Sequence, residues 1–249
     1  GKARFYKHEF GLAEQTFLYV YQHYKKSPNR YQGLNWLIKT LIETEQWDRA
    51  EEFLDLAESS LKKYPEELLG EYHAIVADFN IRRDKDYEKA IEHLEKAVEL
   101  TKKRDGKVRY QFILAQLYQE KNNFLLATEA YTDVLKLNPD YTMRFNARIS
   151  RAIAFDVNGR DSKAIKKELN KMLKDIKNEE FKDQIYFALA ELALKEDDEP
   201  MAVILLQRSI NSSVANDKQK ALSYLRLADL YFERPDYIAA QERYDSTLQ

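Results

Sequence analysis

The sequence predicts an all-α fold of repeated helix pairs, and three observations carry that expectation. First, one phrase recurs: an aromatic or polar turn residue, two or three further residues, then Ala. It stands at Phe10-Gly11-Leu12-Ala13, Trp47-Asp48-Arg49-Ala50, Asp86-Tyr87-Glu88-Lys89-Ala90, Asn123-Phe124-Leu125-Leu126-Ala127, Asp161-Ser162-Lys163-Ala164, Glu199-Pro200-Met201-Ala202 and Asp236-Tyr237-Ile238-Ala239-Ala240. These alanines lie 37, 40, 37, 37, 38 and 38 residues apart, a steadiness that marks an internal repeat. Second, apolar residues flank each copy at the i, i+3, i+4, i+7 spacing of one helix face. Third, charged residues make up 33% of the 249 while Gly and Pro number only 6 and 5, which favours helix over a sandwich, a barrel or a disordered chain.

Each repeat reads as helix A, a short turn and helix B. Around Ala127 the upstream face is Leu114, Ala115, Leu117 and Tyr118, and the downstream face is Tyr131, Val134, Leu135 and Leu137. Asn138-Pro139 then stops helix B, because Pro disfavours a helical residue before it. Extended along the chain, the pattern predicts helices A at 1–6, 31–44, 66–83, 107–120, 141–158, 179–195 and 217–233. Helices B are expected at 8–25, 47–63, 86–103, 123–137, 161–176, 198–212 and 236–249. Ala115, Ala127, Ala190, Ala202, Ala228 and Ala240 allow close helix approach, and Tyr118, Tyr131, Tyr231 and Tyr244 fill the remaining space.

Composition and motifs exclude many chemistries. Forty basic residues face 42 acidic ones, so the net charge of -2 gives no overall attraction to nucleic acid, and no nucleic-acid partner is expected. With no Cys, disulfide scaffolds, zinc–thiolate sites and Cys nucleophiles are out. The longest uncharged runs, at 15–24 and 110–119, are about half a membrane span, and no signal peptide opens the chain. His8, His23, His73 and His93 form no His-x-x-x-His pair, so no metal is expected. No Gly-rich phosphate loop exists, and no other cofactor is indicated. Ser59-x-x-Lys62 falls on a surface helix and reads as ordinary surface. Asp156-x-Asn158-Gly159-x-Asp161 departs from a calcium loop, since Lys167 stands where the bidentate Glu belongs. Asn158-Gly159 reads instead as the close of helix A and Asp161 as the cap of helix B. Lys163, Lys166, Lys167, Lys171 and Lys174 form a helical stripe without interleaved aromatics, read as a solvated face. No catalytic constellation emerges, and the chain is expected not to be an enzyme.

The residues resemble a known family. Leu114-Ala115-x-x-Tyr118, Ala127, Tyr131 and Pro139, and again Leu227-Ala228-x-x-Tyr231, Ala240 and Tyr244, are similar to the tetratricopeptide (TPR) pattern. The resemblance implies a TPR-like α-solenoid of antiparallel helix pairs with a right-handed superhelix. It implies one domain over 1–249, with a partial unit at 1–28 and full units at about 29–65, 66–105, 106–139, 140–177, 178–214 and 215–249. The period is longer than the family's roughly 34 residues, and Arg151 occupies the slot held by Leu114 and Leu227. Solenoids bind along their concave surface, which helix A lines in this family. The groove positions read as Gln32, Asn35 and Lys39, Glu71 and Asp78, Arg109, Gln116 and Gln119, Asn146 and Asp156, Gln184 and Glu191, and Asp229. Of these, Asn35, Lys39, Glu71, Asp78, Arg109, Gln116, Gln119, Asp156, Glu191 and Asp229 are the candidate partner-binding residues. The repeated Lys and Asn of a chaperone-binding carboxylate clamp are met only by Asn35 and Lys39.

Longer phrases narrow the likeness. Gly1-Lys2-Ala3-Arg4-Phe5-Tyr6 with Ala13-Glu14-x-x-Phe17 and Tyr24 is one; Thr101-Lys102-Lys103 with Gly106-Lys107-x-Arg109-Tyr110-x-Phe112-Ile113 and Gln116-Leu117-Tyr118 is another; Tyr231-Phe232 and Tyr237 with Tyr244-Asp245-Ser246-Thr247-Leu248 is the third. Together they resemble the SprE/PorW periplasmic TPR lipoprotein family of Bacteroidota gliding motility and type IX secretion. That resemblance implies a non-catalytic scaffold in the periplasm, held to the outer membrane by an N-terminal lipid outside this sequence. Its implied partners are the outer-membrane translocon and the periplasmic motor and ring components. It also implies a short O-glycosylation pattern at Asp245-Ser246-Thr247. The alternatives are a cytoplasmic TPR peptide-binding adaptor and the regulatory TPR region of a larger enzyme.

The chain opens in mid-helix without Met and closes inside a helix B, so further repeats are expected before Gly1, and more repeats or a capping helix after Gln249. Leu12, Phe17 and Tyr21 at one end, and Tyr237, Ile238, Tyr244 and Leu248 at the other, are expected to lie partly uncovered. A few hundred Å2 of exposed apolar surface drives association by several kcal/mol at roughly 25 cal/mol per Å2. The isolated chain is expected to self-associate with rising concentration in sedimentation; a strict monomer with both ends fully protected from hydrogen exchange counts against the expectation.

Overall fold

The structure is a computed structural model that describes residues 1–156 and 162–248. The described residues are all-α, without strands, in the tetratricopeptide-like solenoid class. They form two compact units, Gly1–Asn122 and Asn123–Gln249. The first holds α1 (Lys2–Tyr6), α2 (Phe10–His23), α3 (Asn29–Glu43), α4 (Trp47–Ser59), α5 (Glu66–Arg83), α6 (Tyr87–Leu100) and α7 (Arg104–Glu120), with a 3-10 turn at Leu61–Lys63. In the second lie α8 (Phe124–Lys136), α9 (Tyr141–Ala154), α10 (Lys163–Met172), α11 (Lys182–Lys195), α12 (Glu199–Ser212), α13 (Asp217–Glu233) and α14 (Tyr237–Asp245), with 3-10 segments at Ile176–Phe181 and Ser246–Leu248.

Six of the seven repeat alanines occupy one structural place. Ala13, Ala50, Ala90, Ala127, Ala202 and Ala240 are each the fourth residue of their helix. None is more than 1% exposed. Each N–H donates to the carbonyl of the capping residue four places earlier, at 2.9–3.1 Å. The side chains of Asp86, Asn123, Asp198 and Asp236 accept from the third N–H of their helices, closing a donor the helix cannot satisfy itself. One residue before the cap, the chain turns left-handed: His8, Glu45, Lys85, Asn122 and Asp197 have φ of 60, 56, 53, 57 and 59°. Glycine usually fills that place, and L residues there carry a local steric cost.

The core of 1–122 is built mainly on α3, whose Leu34, Leu37, Ile38, Leu41 and Ile42 are wholly buried. Fully burying such a side chain contributes roughly 1.5–3 kcal/mol. Phe17, Trp36, Ile75 and Phe79 join them. Phe17 and Tyr21 are buried, contrary to the expectation of an uncovered start; only Leu12 is open, at 46% exposure. In 123–249 the core gathers Phe145, Ile149, Leu169, Ile185, Leu192, Leu206 and Leu227. A polar seam runs through it: buried Asp183 accepts from Ser213, Ser209 donates to the Asp183 carbonyl, and Ser209 bonds Ser223 at 2.8 Å. At the other end Tyr237 and Ile238 are open, at 60% and 78% exposure, while Tyr244 is half-buried.

The fifth copy departs from the predicted pattern. Helix α9 ends at Ala154, four residues before the expected 158, because Phe155 turns extended. The Lys195 ammonium reaches over from α11 and takes up the Ile153 and Phe155 carbonyls that this early stop leaves free. The proposed close at Asn158-Gly159, cap at Asp161 and calcium-loop residues 158–161 lie outside the described residues. Ala164 is exposed, and Ile165, Leu169 and Met172 take the inner places of α10. That helix stops at Met172 rather than 176, where the Asn178 side chain donates to the Met172 carbonyl. The following helix A begins at Lys182 instead of 179, and the last helix B ends at Asp245 in a 3-10 turn.

Where α5 and α6 meet, residues about equidistant from the turn face each other. Gly70 of α5 approaches α6 so closely that a Cβ there would stand 2.2 Å from the Thr101 hydroxyl and 3.2 Å from the Ala97 carbonyl. Gly11, on the open side of α2, has nothing within 4 Å of such a Cβ. His73 and His93 meet Nδ1 to Nδ1 at 3.0 Å, so the pair is not lone as the spacing alone implies. One neutral ring donates and the other accepts.

Two outcomes follow from these contacts. Gly70→Ala lowers unfolding free energy by about 1–3 kcal/mol, while Gly11→Ala raises it by about 0.5–1 kcal/mol, measured by urea titration. Burial, the His93 ring and Lys96 lower the His73 pKa from 6.5 to about 4, and burial and Lys96 lower that of His93 against the opposing pull of Glu92 and Glu58. Below pH 6.5 the unfolded chain takes up these protons and the folded chain does not. Stability is therefore lost as pH falls from 6.5 toward 4. Screening of this half-buried pair leaves an effect on the order of 1 kcal/mol. His73→Phe flattens the stability profile over that range relative to the parent; an unchanged slope contradicts the assignment.

Candidate functional site

Periodicity puts the polar residues of α3, α5 and α7 on their A faces, and in residues 1–122 these faces share a cleft of about 540 Å3. Lys39, Asp78 and Arg109 all line it, bringing together three residues that the sequence singles out. Trp36, Tyr110 and the α1 pair Phe5 and Tyr6 supply aromatic walls that the polar reading of the groove missed. Their signal was their place on helix A, one turn from Lys39 and beside Arg109. The cleft therefore offers flat apolar surface with charges set into it, the makeup of a site for an amphipathic ligand.

The charges divide into used and unused. Lys39 pairs with Glu71 at 2.5 Å, and its ammonium lies 4.7 Å from the Trp36 ring centroid. Glu71 also accepts from Asn35 at 3.5 Å, and Asn35 accepts from the Tyr64 hydroxyl. Asn35 is wholly buried, so it positions Glu71 and does not face the cleft. Arg82 is taken by Glu43 at 2.7 Å. Asp78 and Arg109 have no ion pair among the described residues. Burial raises the Asp78 carboxyl above its ordinary pKa; Glu43 adds to the rise, and Arg82, Lys39 and Arg109 oppose it. Burial also pushes the Tyr110 hydroxyl to about 12, so it stays a neutral donor. Gln116 is exposed and Gln119 half-buried farther along α7, outside the cleft lining.

The candidates in 123–249 do not converge. Glu191 pairs with Arg226 at 2.8 Å. Asp229 accepts from the Tyr244 hydroxyl at 2.8 Å. Asp156 lies half-buried just beyond α9. Among the described residues no group of three or more His, Asp or Glu is placed to hold a metal, and no helix is long and apolar enough to cross a membrane. Ser59 donates to the Leu56 carbonyl at the end of α4, an ordinary helix-end role.

A tetratricopeptide-repeat family model matches residues 82–104 and 108–141. No curated protein matches the chain by sequence. Solved structures similar to it include BtubC (BKLC) from P. vanneervenii, with TM-score 0.51 and 14% identity over 97% of this chain and 89% of that one. The apo form of the quorum sensor NprR from B. thuringiensis gives TM-score 0.61 and 12% identity over 97% and 76% of the two chains. NprR in complex with its cognate peptide NprX gives 0.57 and 14% over 96% and 77%. At these identities the likeness is one of fold. The chain thus has the tetratricopeptide-like solenoid fold, with the repeat matched in sequence over 82–104 and 108–141.

Proposed function

We propose that the chain is a non-catalytic protein-interaction scaffold that receives an extended segment of a partner protein in the cleft of residues 1–122. The observation that carries this is the pairing of unused charges, Asp78 and Arg109, with the aromatic walls Trp36 and Tyr110 in one 540 Å3 cleft. A partner can neutralise both charges and cover Tyr6 and the part-open Tyr110, while buried Trp36 backs the cleft from the core, a combination that supplies specificity through the charges and affinity through the apolar contact.

The finer reading is a periplasmic component of the type IX secretion and gliding machinery, anchored to the outer membrane by a lipid. Its support is the three phrases that resemble the SprE/PorW family, one of which, 101–118, contains Arg109 and Tyr110 of the cleft. On this reading the partners are the outer-membrane translocon and the motor and ring components. The second reading is a cytoplasmic peptide-binding adaptor or a regulatory region of a larger enzyme. It is favoured by the fold likeness to NprR with its cognate peptide.

The test uses purified translocon, motor and ring components alongside a fluorescent library of 12-residue peptides. The scaffold reading expects saturable binding to one component, weakened about tenfold or more by Arg109→Glu and by Asp78→Lys. Binding only to free peptides, with the same sensitivity, selects the adaptor reading. Binding that ignores both substitutions removes the cleft from the function.

A further inference from the structure

The fifth copy, where the repeat pattern breaks, also collects charge. Arg151 sits in the slot that Leu114 and Leu227 fill in their own units. Its guanidinium is largely buried and bonds Glu168 of α10. Arg148, one turn earlier on α9, brings its Nε within 2.7 Å of the other oxygen of the same carboxylate, an ion pair without hydrogen-bond alignment. One carboxylate therefore serves two guanidinium groups and neutralises only one of them.

Two more cations stand beside this cluster. Arg144 donates to the Asn138 side-chain oxygen and the Pro139 carbonyl at 2.7 and 2.8 Å, both neutral acceptors that leave its charge uncompensated. Lys171 of α10 has no ion pair among the described residues. Arg144, Arg148 and Lys171 line a notch of about 210 Å3 between the start of α9 and the end of α10. The acids that line it are Glu168, already shared, and Asp175, whose side chain caps the backbone N–H of Lys177. Four cations thus answer to two carboxylates, and the notch carries surplus positive charge. Tyr141 and Phe145 close its sides, with the Tyr141 hydroxyl held by Asn178 and the Lys177 carbonyl.

We propose that this notch is a binding site for a phosphate dianion, free or as a small soluble monoester, held by Arg144, Arg148 and Lys171. Arginine matches oxyanion geometry with paired N–H donors, and a lysine adds a point charge. A dianion balances the surplus. The small volume admits a compact anion and leaves no room for a length of polypeptide. The site is separate from the cleft of residues 1–122 and does not depend on the scaffold reading.

The test is calorimetric titration of the full chain with inorganic phosphate, ionic strength held constant with sodium chloride. Saturable binding of one phosphate per chain is expected, with affinity in the millimolar range. The double variant Arg144→Gln, Lys171→Ala should weaken it about tenfold or more, while Lys167→Ala, an exposed lysine of the same helix outside the notch, should leave it unchanged. Asp175→Asn keeps a capping side chain but removes a like charge to the ligand, so it should tighten binding about threefold. That gain of function survives any loss of folding in the double variant. A non-saturating titration, equal weakening by Lys167→Ala, or no tightening by Asp175→Asn overturns the site. Flotation with phosphatidic-acid vesicles, in the absence of any binding to free phosphate, overturns it as well, because it makes the anion a membrane headgroup.

Discussion

Among the described residues the fold rests on one small residue shut from solvent at the same place in helix after helix. Six alanines, each at the fourth helical position, are shut from solvent, and Gly70 leaves no room even for a methyl. The cap residue, the left-handed residue before it and the alanine after it form one device: the cap carbonyl accepts from the alanine N–H, and in four of the six the cap side chain accepts from the N–H one residue earlier. In α3, α5 and α7 most inner places are taken by small and apolar residues, and Lys39, Asp78 and Arg109 fall on the face that remains. The cleft exists because that face has nowhere else to turn.

Polar contacts within 1–122 repeat with the same period. Arg49 pairs with Glu14, Lys39 with Glu71, Arg82 with Glu43, Lys102 with Glu66 and Lys121 with Glu88, each about one repeat apart in sequence. In 123–249 Arg226 with Glu191 and Arg234 with Glu199 do the same. Exposed pairs of this kind contribute only about 0–1 kcal/mol each, so their effect is on register more than on stability. Among the described residues, Asp78 and Arg109 stand outside that ladder and, unlike unpaired Glu67 and Lys107, line the cleft.

Much of the architecture was legible because a helix pair writes itself twice, once as a 3.6-residue stripe and once as the repeat of its tightest contact. Helices 66–83 and 217–233 were read to the residue. The left-handed turns were not legible, because His8, Glu45, Lys85, Asn122 and Asp197 share no chemistry, only a place one residue ahead of a cap. The His73–His93 meeting was hidden by its 20-residue separation, although reflection about the turn near residue 83 relates the two. Lys39, Asp78 and Arg109 were picked out from helical register, and all three line the cleft. Asn35 was misjudged because it points from the same helix into the interior, a rotation that the pattern of polar residues does not reveal. In the fifth copy the carbonyls left free by the stop at Ala154 are taken up by Lys195, some 40 residues on, a partner that no local signal announces.

The joint between α9 and α10 differs in kind from its neighbours. Elsewhere the joints are mainly apolar, a contact strengthened by salts that are excluded from the protein surface, such as sulfate. Here prising the helices apart also means exchanging the Arg148–Glu168–Arg151 bridge for water, a resistance that salt screens. A rise in ionic strength therefore weakens the charged part of this joint and leaves its apolar part, Phe145, Ile149, Ile165 and Leu169, in place. The hold of α10 on α9 is thus set in part by the surrounding electrolyte.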